Sequence, residues 1–182
     1  GVVVFRGSEE DVLDRYYRAA EALQADFVLR VTSDCPLIDP VVCGLVLDEV
    51  TEDRADFATN NIPPTWPHGL DCEAFTFTLL ERAAGEAELP EEREHVSPFM
   101  RRVTDVRRAN VSTEGNDISH HRWALDTPQD YAFLQALFAH LPQGPENLDY
   151  HIPLALVEAD PALAAINAGH EHPLKHEYSV SR

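Results

Sequence analysis

The sequence predicts a mixed α/β fold, with helices on both faces of one sheet. In the first half, short β-branched runs alternate with stretches of helical period. In the second half, strand candidates follow one another in antiparallel-looking pairs. The length of 182 residues suits one domain with a real core, expected over residues 1–168, with a polar tail at 169–182.

Taken in order, GVVVF (Gly1 to Phe5) reads as a strand ended by Arg6-Gly7. Ser8 is the expected N-cap of the next helix, with Glu9, Glu10 and Asp11 favouring the positive end of its dipole. Val12, Leu13, Tyr16, Tyr17, Ala20 and Leu23 share one face of it. Phe27, Val28, Leu29 and Val31 predict a buried strand over 27–32 that stops at Thr32-Ser33-Asp34, because Pro36 cannot donate to a ladder. Asp39 caps a helix that begins at Pro40 and runs to about Thr51, showing Val42, Leu45, Val46 and Val50. Asp56-Phe57-Ala58 is a short strand leading into Thr59-Asn60-Asn61.

The loop IPPTWPHGLD (Ile62 to Asp71) is stiffened by three prolines and bent at Gly69. Residues 71–77 alternate as a strand. A helix follows from Thr78 to Leu89, then a second from Glu91 to Arg102, and a strand over 103–112. After the turn at 114–117, Ile118 to Asp126 reads as a strand. Thr127-Pro128-Gln129-Asp130 opens a helix with a capping box, and its expected buried face is Tyr131, Leu134, Phe138 and Leu141. Short helices are expected around 148–158 and 161–167, and a frayed tail from Gly169.

A net charge of −18 argues against nucleic acid and anionic membranes as partners. No apolar segment is long enough to span a bilayer, and no signal peptide is recognisable. Cys35, Cys43 and Cys72 form no CxxC pair, so a disulfide framework or zinc knuckle is not expected and a reducing cytoplasm fits best. Lys175 is the single lysine, and Gly1 leads straight into an apolar run, as if the true beginning lay elsewhere.

Two aspartates stand where chemistry could sit. Asp34 follows a predicted strand, at the carboxyl end where open α/β sheets bind ligands, and Asp126 repeats that situation ahead of the helix at Pro128. Two such carboxylates, with phosphate oxygens and waters, would make a Mg²⁺ site. Spacing alone favours the simpler alternatives: a turn cap for Asp34 and a helix N-terminal acid for Asp126.

The segments VFRGSEEDVLDRYYRAAE, RVTSDCPLIDP, PHGLDCEAF, REHVSPFM and RWALDTPQD occur in this order, closing with DPALAAIN. Together they resemble the cytidylyltransferase family of spore coat polysaccharide biosynthesis proteins, related to the sugar-acid cytidylyltransferases. The resemblance implies a nucleotide-diphospho-sugar transferase fold, a Rossmann-like, mixed-sheet, three-layer α/β architecture. It implies transfer of CMP from CTP to a sugar or sugar acid, with Mg²⁺ as cofactor and Asp34 and Asp126 as its ligands. Magnesium would neutralise phosphate charge during in-line attack.

The same resemblance places Arg6, Gly7, Ser8 and Arg15 near the base or sugar. It puts His68, Gly69, Asp71 and Glu73 on the sugar-side strand, and Glu94 and His95 on a helix that could face substrate. A helix cap, a structural turn and a solvated helix face are the respective alternatives. Arg122 either neutralises phosphate or pairs with a carboxylate; Trp123 is core. His120-His121 and His170-x-His172 are read as surface histidines. One departure stands out: the glycine-rich phosphate loop with its Arg and Lys, with which such enzymes begin, has no match here. The expectation is an N-terminally incomplete domain, a poor CTP binder alone, with an exposed strand edge open to homodimerisation. A non-catalytic assembly module is one alternative. A glycosyltransferase on the same sheet is another, lowered by the lack of any Asp-x-Asp.

Overall fold

The computed structural model describes residues 1–142 and 149–168. Its elements are α1 (Val12–Leu23), β1 (Phe27–Arg30), α2 (Pro40–Thr51), β2 (Phe57–Thr59), β3 (Glu73–Thr76), α3 (Phe77–Glu86), α4 (Pro90–His95), α5 (Pro98–Arg102), β4 (Arg108–Asn110), α6 (Pro128–Phe138), α7 (His151–Ala159), α8 (Pro161–Ala164) and a 3₁₀ turn at Ala165–Asn167. The strands form one four-stranded sheet in the order β1-β3-β2-β4. The fold is mixed α/β, as the sequence predicts. Among the described residues no helix is long and apolar enough to cross a membrane, and Cys35, Cys43 and Cys72 are free and buried.

The chain divides into two compact units. The first comprises Gly1–Leu29, Leu47–Ala58 and Ala74–Ala109. Its core joins Leu13, Phe57, Phe75, Leu80, Val96, Phe99 and Met100. Each such side chain contributes roughly 1.5–3 kcal/mol by leaving water. Helix α1 is capped by Asp11, which accepts from Asp14 N–H at 2.9 Å. The expected cap, Ser8, instead accepts from Asp11 N–H at 3.0 Å, one turn earlier. Asp11 also takes a two-pronged contact from Arg93 of α4, at 2.6 to 3.1 Å. That double use of its carboxylate explains why the helix starts there.

Other predictions are corrected as well. GVVVF forms no strand: Val2, Val3 and Val4 are 91%, 77% and 69% exposed, and a β-branched run is a strand only where a ladder partner is available. The helix expected over 91–102 is two helices, α4 and α5. Between them Val96 (φ 71°, ψ −57°) forms a γ-turn closed by Ser97 N–H donating to His95 C=O at 2.8 Å. Pro98, at the first position of α5, restarts the helix. The strands are also shorter than read: β1 stops at Arg30, β3 spans Glu73–Thr76 and β4 only Arg108–Asn110.

The second unit comprises Arg30–Val46, Thr59–Glu73 and the described residues from Asn110 onward. Asp39 caps α2 as expected, accepting from Val41 and Val42 N–H at 2.7 and 3.0 Å. Its second oxygen accepts from Tyr150 N–H at 2.7 Å. Residues 118–126 are not a strand. They make one isolated parallel bridge, His68 to Arg122, because the neighbouring segment is the bent Pro-rich loop and offers no further ladder. Helix α6 has the predicted Thr127 cap and Asp130 capping box. Its buried face is Phe133, Leu134 and Leu137, so Tyr131 and Phe138, 56% and 42% exposed, point outward instead. The expected starts at 148 and 169–182 lie outside the described residues; α7, α8 and the 3₁₀ turn fall where short helices are predicted.

Candidate functional site

The polar centre of the second unit is Arg122. Its Nε and Nη2 donate to the two oxygens of Asp130, both at 2.9 Å, and Nη2 also donates to Asp126 Oδ2 at 2.6 Å. Its Nη1 donates to His68 Nδ1 at 3.0 Å. An arginine can only donate, so His68 carries its ring proton on Nε2, which lies 3.8 Å from Asp71 Oδ2.

Asp130 is wholly buried and also accepts from Asn167 Nδ2, the Asp126 and Thr127 N–H groups and the Thr127 hydroxyl. Burial alone would raise its pKa. The bonds from Arg122, Asn167, Asp126 and Thr127 outweigh that and hold the carboxyl well below the usual range. Arg122 is therefore a tethered cation that fixes Asp126.

The loop 62–71 is locked onto the same place. His68 N–H donates to His121 C=O at 3.1 Å, and Trp123 N–H donates to His68 C=O at 2.6 Å. Gly69 has φ +114°, and a Cβ there would sit 2.5 Å from the Trp123 carbonyl carbon, so this position admits only glycine. Asp71 accepts from Gly69 N–H at 2.8 Å and from Asn61 Nδ2 at 3.1 Å. Leu125 N–H donates to Asp34 C=O at 2.8 Å, so the segment that carries Asp126, one residue on, is joined to Asp34 by a backbone hydrogen bond. Cys35 reports the same convergence. Burial, opposed by a bond to Thr32 and reinforced by the charges of Asp71, Asp34 and Asp126, pushes its thiol up to about 12.

Asp34, His68, Asp71, Glu73, Arg122 and Asp126 thus belong to the second unit. Glu73 is 2% exposed and takes Arg30 Nη1 at 3.0 Å. Arg6, Gly7, Ser8, Arg15, Glu94 and His95 belong to the first unit. There Arg15 Nη1 donates to Ser8 C=O at 2.9 Å and its stem packs on Gly7, building the turn that enters α1. Arg6, Glu94 and His95 are exposed. A groove beside Glu94 is also lined by Glu9, Glu10 and Arg93, an acid-rich wall unsuited to phosphate.

Sequence reasoning missed Asp130, read only as a capping-box acid, and Asn167, whose amide ties Asp130 to the Arg122 carbonyl. An arginine eight residues before a capping-box acid is the one signal the sequence offered. His121 is not a surface histidine. It is half-buried because its carbonyl anchors the His68 loop. His170 and His172 lie outside the described residues.

Among the described residues no cluster of three His, Cys, Asp or Glu could by itself hold a metal. The donors on these two bonded segments, the carboxylates of Asp34 and Asp126, are of the kind that suits Mg²⁺, which takes one or two protein carboxylates and completes its shell with water and substrate phosphate. Asp126 Oδ2 is held by Arg122, and its Oδ1 has no protein donor among the described residues.

Comparison with known proteins gives the family. Residues 1–135 match the model of the family described as cytidylyltransferase. The chain is 30% identical over 171 residues to an uncharacterized protein of Methanocaldococcus jannaschii, covering 92% of this chain and 68% of that one. It is 28% identical over 149 residues to the spore coat polysaccharide biosynthesis protein SpsF of Bacillus subtilis, covering 80% of this chain and 61% of that one. A solved cytidylyltransferase from Leptospira borgpetersenii serovar Hardjo-bovis superposes with a TM-score of 0.86 at 32% identity, covering 94% of this chain and 72% of that one. This chain belongs to the cytidylyltransferase family.

Proposed function

We propose that this chain carries the metal-binding site for a reaction that transfers CMP from CTP to a sugar or sugar acid for surface polysaccharide synthesis. The carrying observation is the juxtaposition of Asp34 and Asp126 across the Leu125–Asp34 backbone bond, with Arg122 and buried Asp130 holding Asp126 in place. Membership of the family supplies CTP, and similarity to SpsF supports a polysaccharide precursor as the acceptor.

Asp34 and Asp126 would hold Mg²⁺, whose chemistry is to neutralise charge on the triphosphate and the departing pyrophosphate. Arg122 positions Asp126 and does not itself reach for phosphate, since its donors are committed to Asp126, Asp130 and His68. His68 and Asp71, fixed by the Gly69 turn, offer an N–H and a carboxylate suited to sugar hydroxyls.

The test is pyrophosphate release from CTP with a panel of sugars and sugar acids. Asp34→Asn and Asp126→Asn are each expected to lower turnover by about a hundredfold or more, with Arg122→Lys intermediate. Unchanged turnover in both aspartate variants contradicts the proposal and favours a non-catalytic assembly role.

A further inference from the structure

Thr59 ends β2, and Asn60 and Asn61 follow it into the Pro-rich loop. Their polar side chains are 2%, 1% and 7% exposed. Such burial is costly unless each polar group is bonded, and all three bond to the segment that carries Asp71. They divide that segment between them. Asn60 takes the backbone on either side of Asp71: its Nδ2 donates to Leu70 C=O at 2.7 Å and its Oδ1 accepts from Cys72 N–H at 3.0 Å. Asn61 takes the side chain, donating from Nδ2 to Asp71 Oδ1 at 3.1 Å. The Thr59 hydroxyl donates to Asn61 Oδ1 at 2.8 Å, with Cys72 C=O a longer second acceptor at 3.2 Å.

The directions in this chain are forced. A carboxylate only accepts, so the Asn61 atom that faces Asp71 is the NH₂ and the oxygen faces Thr59, whose hydroxyl must donate. Thr59 thereby fixes which way the Asn61 amide is turned. The other oxygen of Asp71 is held separately, by Gly69 N–H at 2.8 Å, and lies 3.8 Å from His68 Nε2. The Asp71 side chain stays 20% exposed, so a ligand can reach it, whereas Thr59 and Asn61 are buried behind it.

We infer that Asn61, directed by Thr59, is a positioning residue that holds the Asp71 carboxylate in one orientation for a hydroxyl of the sugar acceptor. The inference rests on the reading of His68 and Asp71 as the sugar side of the site. Asn60 supports the backbone, and Asn61 acts on the sugar through Asp71. A second carboxylate in place of the Asn61 amide would compete with Asp71 for one proton.

The test has two readouts. One is transfer kinetics with glucose, N-acetylglucosamine, glucuronic acid and N-acetylneuraminic acid as sugar probes. The other is a ¹³C titration of the Asp71 carboxyl, its signal assigned by its loss in Asp71→Asn. A KM does not depend on the fraction folded, so lost stability alone leaves it in place. Asn61→Leu is expected to raise the KM of the sugar about tenfold with the KM of CTP unchanged, and to move the Asp71 titration to higher pH. Thr59→Val should raise the sugar KM about threefold, and Thr59→Ser, which restores the hydroxyl, should reverse that rise. Asn61→Asp should make the sugar KM rise with pH between about 5 and 8, as the shared proton is lost, a step that wild type lacks. His68 faces Asp71, and the charge of Asp71 reaches the thiols of Cys35 and Cys72. Those groups are common to both proteins, so the comparison isolates the new carboxyl. Sugar and CTP KM rising together, an Asp71 titration unmoved by Asn61→Leu, or no added pH dependence in Asn61→Asp overturns the inference. Absence of transfer by the wild-type protein overturns the proposed function and the sugar role with it, while the titration still decides whether Asn61 governs Asp71.

Discussion

The two compact units handle charge differently. In the first, the apolar core is bordered by one buried carboxylate, Glu92, paired with the exposed Arg102, and the other ion pairs are partly or largely exposed. Arg107 grips Asp53 and Asp56 while half exposed, and Arg82 joins Glu86 and Asp105. In the second, charge is buried: Asp130 is inaccessible, Arg122 is 10% exposed, and each of Arg122's hydrogen-bonding groups is placed. Burying such a network costs desolvation that a well-packed apolar cluster would avoid, so it marks a place where position matters more than stability. The first unit is built to hold together, and the second to hold Asp126 still.

The largest expected effect tests that contrast. Asp130→Ala leaves Arg122 buried without its main partner and should cost about 4 kcal/mol, read by urea unfolding. The joint replacement Arg122→Met with Asp130→Leu should recover most of that stability but not turnover. Sharing of the loss by the double variant would show that the network is needed for folding itself. Linkage sharpens the point. The folded carboxyl of Asp130 is depressed below its ordinary 3.8, so its contribution is present above about that pH and is lost as pH falls towards the folded value. The stability gap between wild type and Asp130→Asn should therefore be full at pH 6 and shrink in strong acid.

Next in size, Leu80→Ala in the apolar core should cost about 3 kcal/mol, while the folded fraction keeps its ligand affinity. Altered affinity in that variant would erase the division of labour between the units. The smallest effect belongs to the surface pairs. Arg107→Gln should leave the unfolding midpoint within error, because exposed ion pairs contribute little. A clear drop would show that the Asp53–Asp56–Arg107 cluster organises its unit after all.

The sequence disclosed what is local. Asp39-Pro40 and Thr127-Pro128 announced α2 and α6 because a cap and a proline act within one turn. It misled where partners decide. GVVVF has strand composition without a ladder, and residues 118–126 alternate like a strand but bridge only at His68–Arg122. The γ-turn at Val96 was invisible, since no propensity foretells a valine at positive φ, although Pro98 marked the restart. The site was legible in part. Asp34 and Asp126 could be singled out, but their adjacency rests on a backbone bond between segments about ninety residues apart in sequence, and Asn167 reaches Asp130 across 37 residues. Contacts at that separation leave no periodic trace.

The central claim is that Asp34 and Asp126 form one magnesium-dependent nucleotide site. Calorimetric titration of the protein with CTP, with and without Mg²⁺, tests it most directly. The account predicts binding that needs Mg²⁺ and weakens at least about tenfold in Asp34→Asn and in Asp126→Asn alike. Magnesium-independent binding, or binding indifferent to both substitutions, would contradict it.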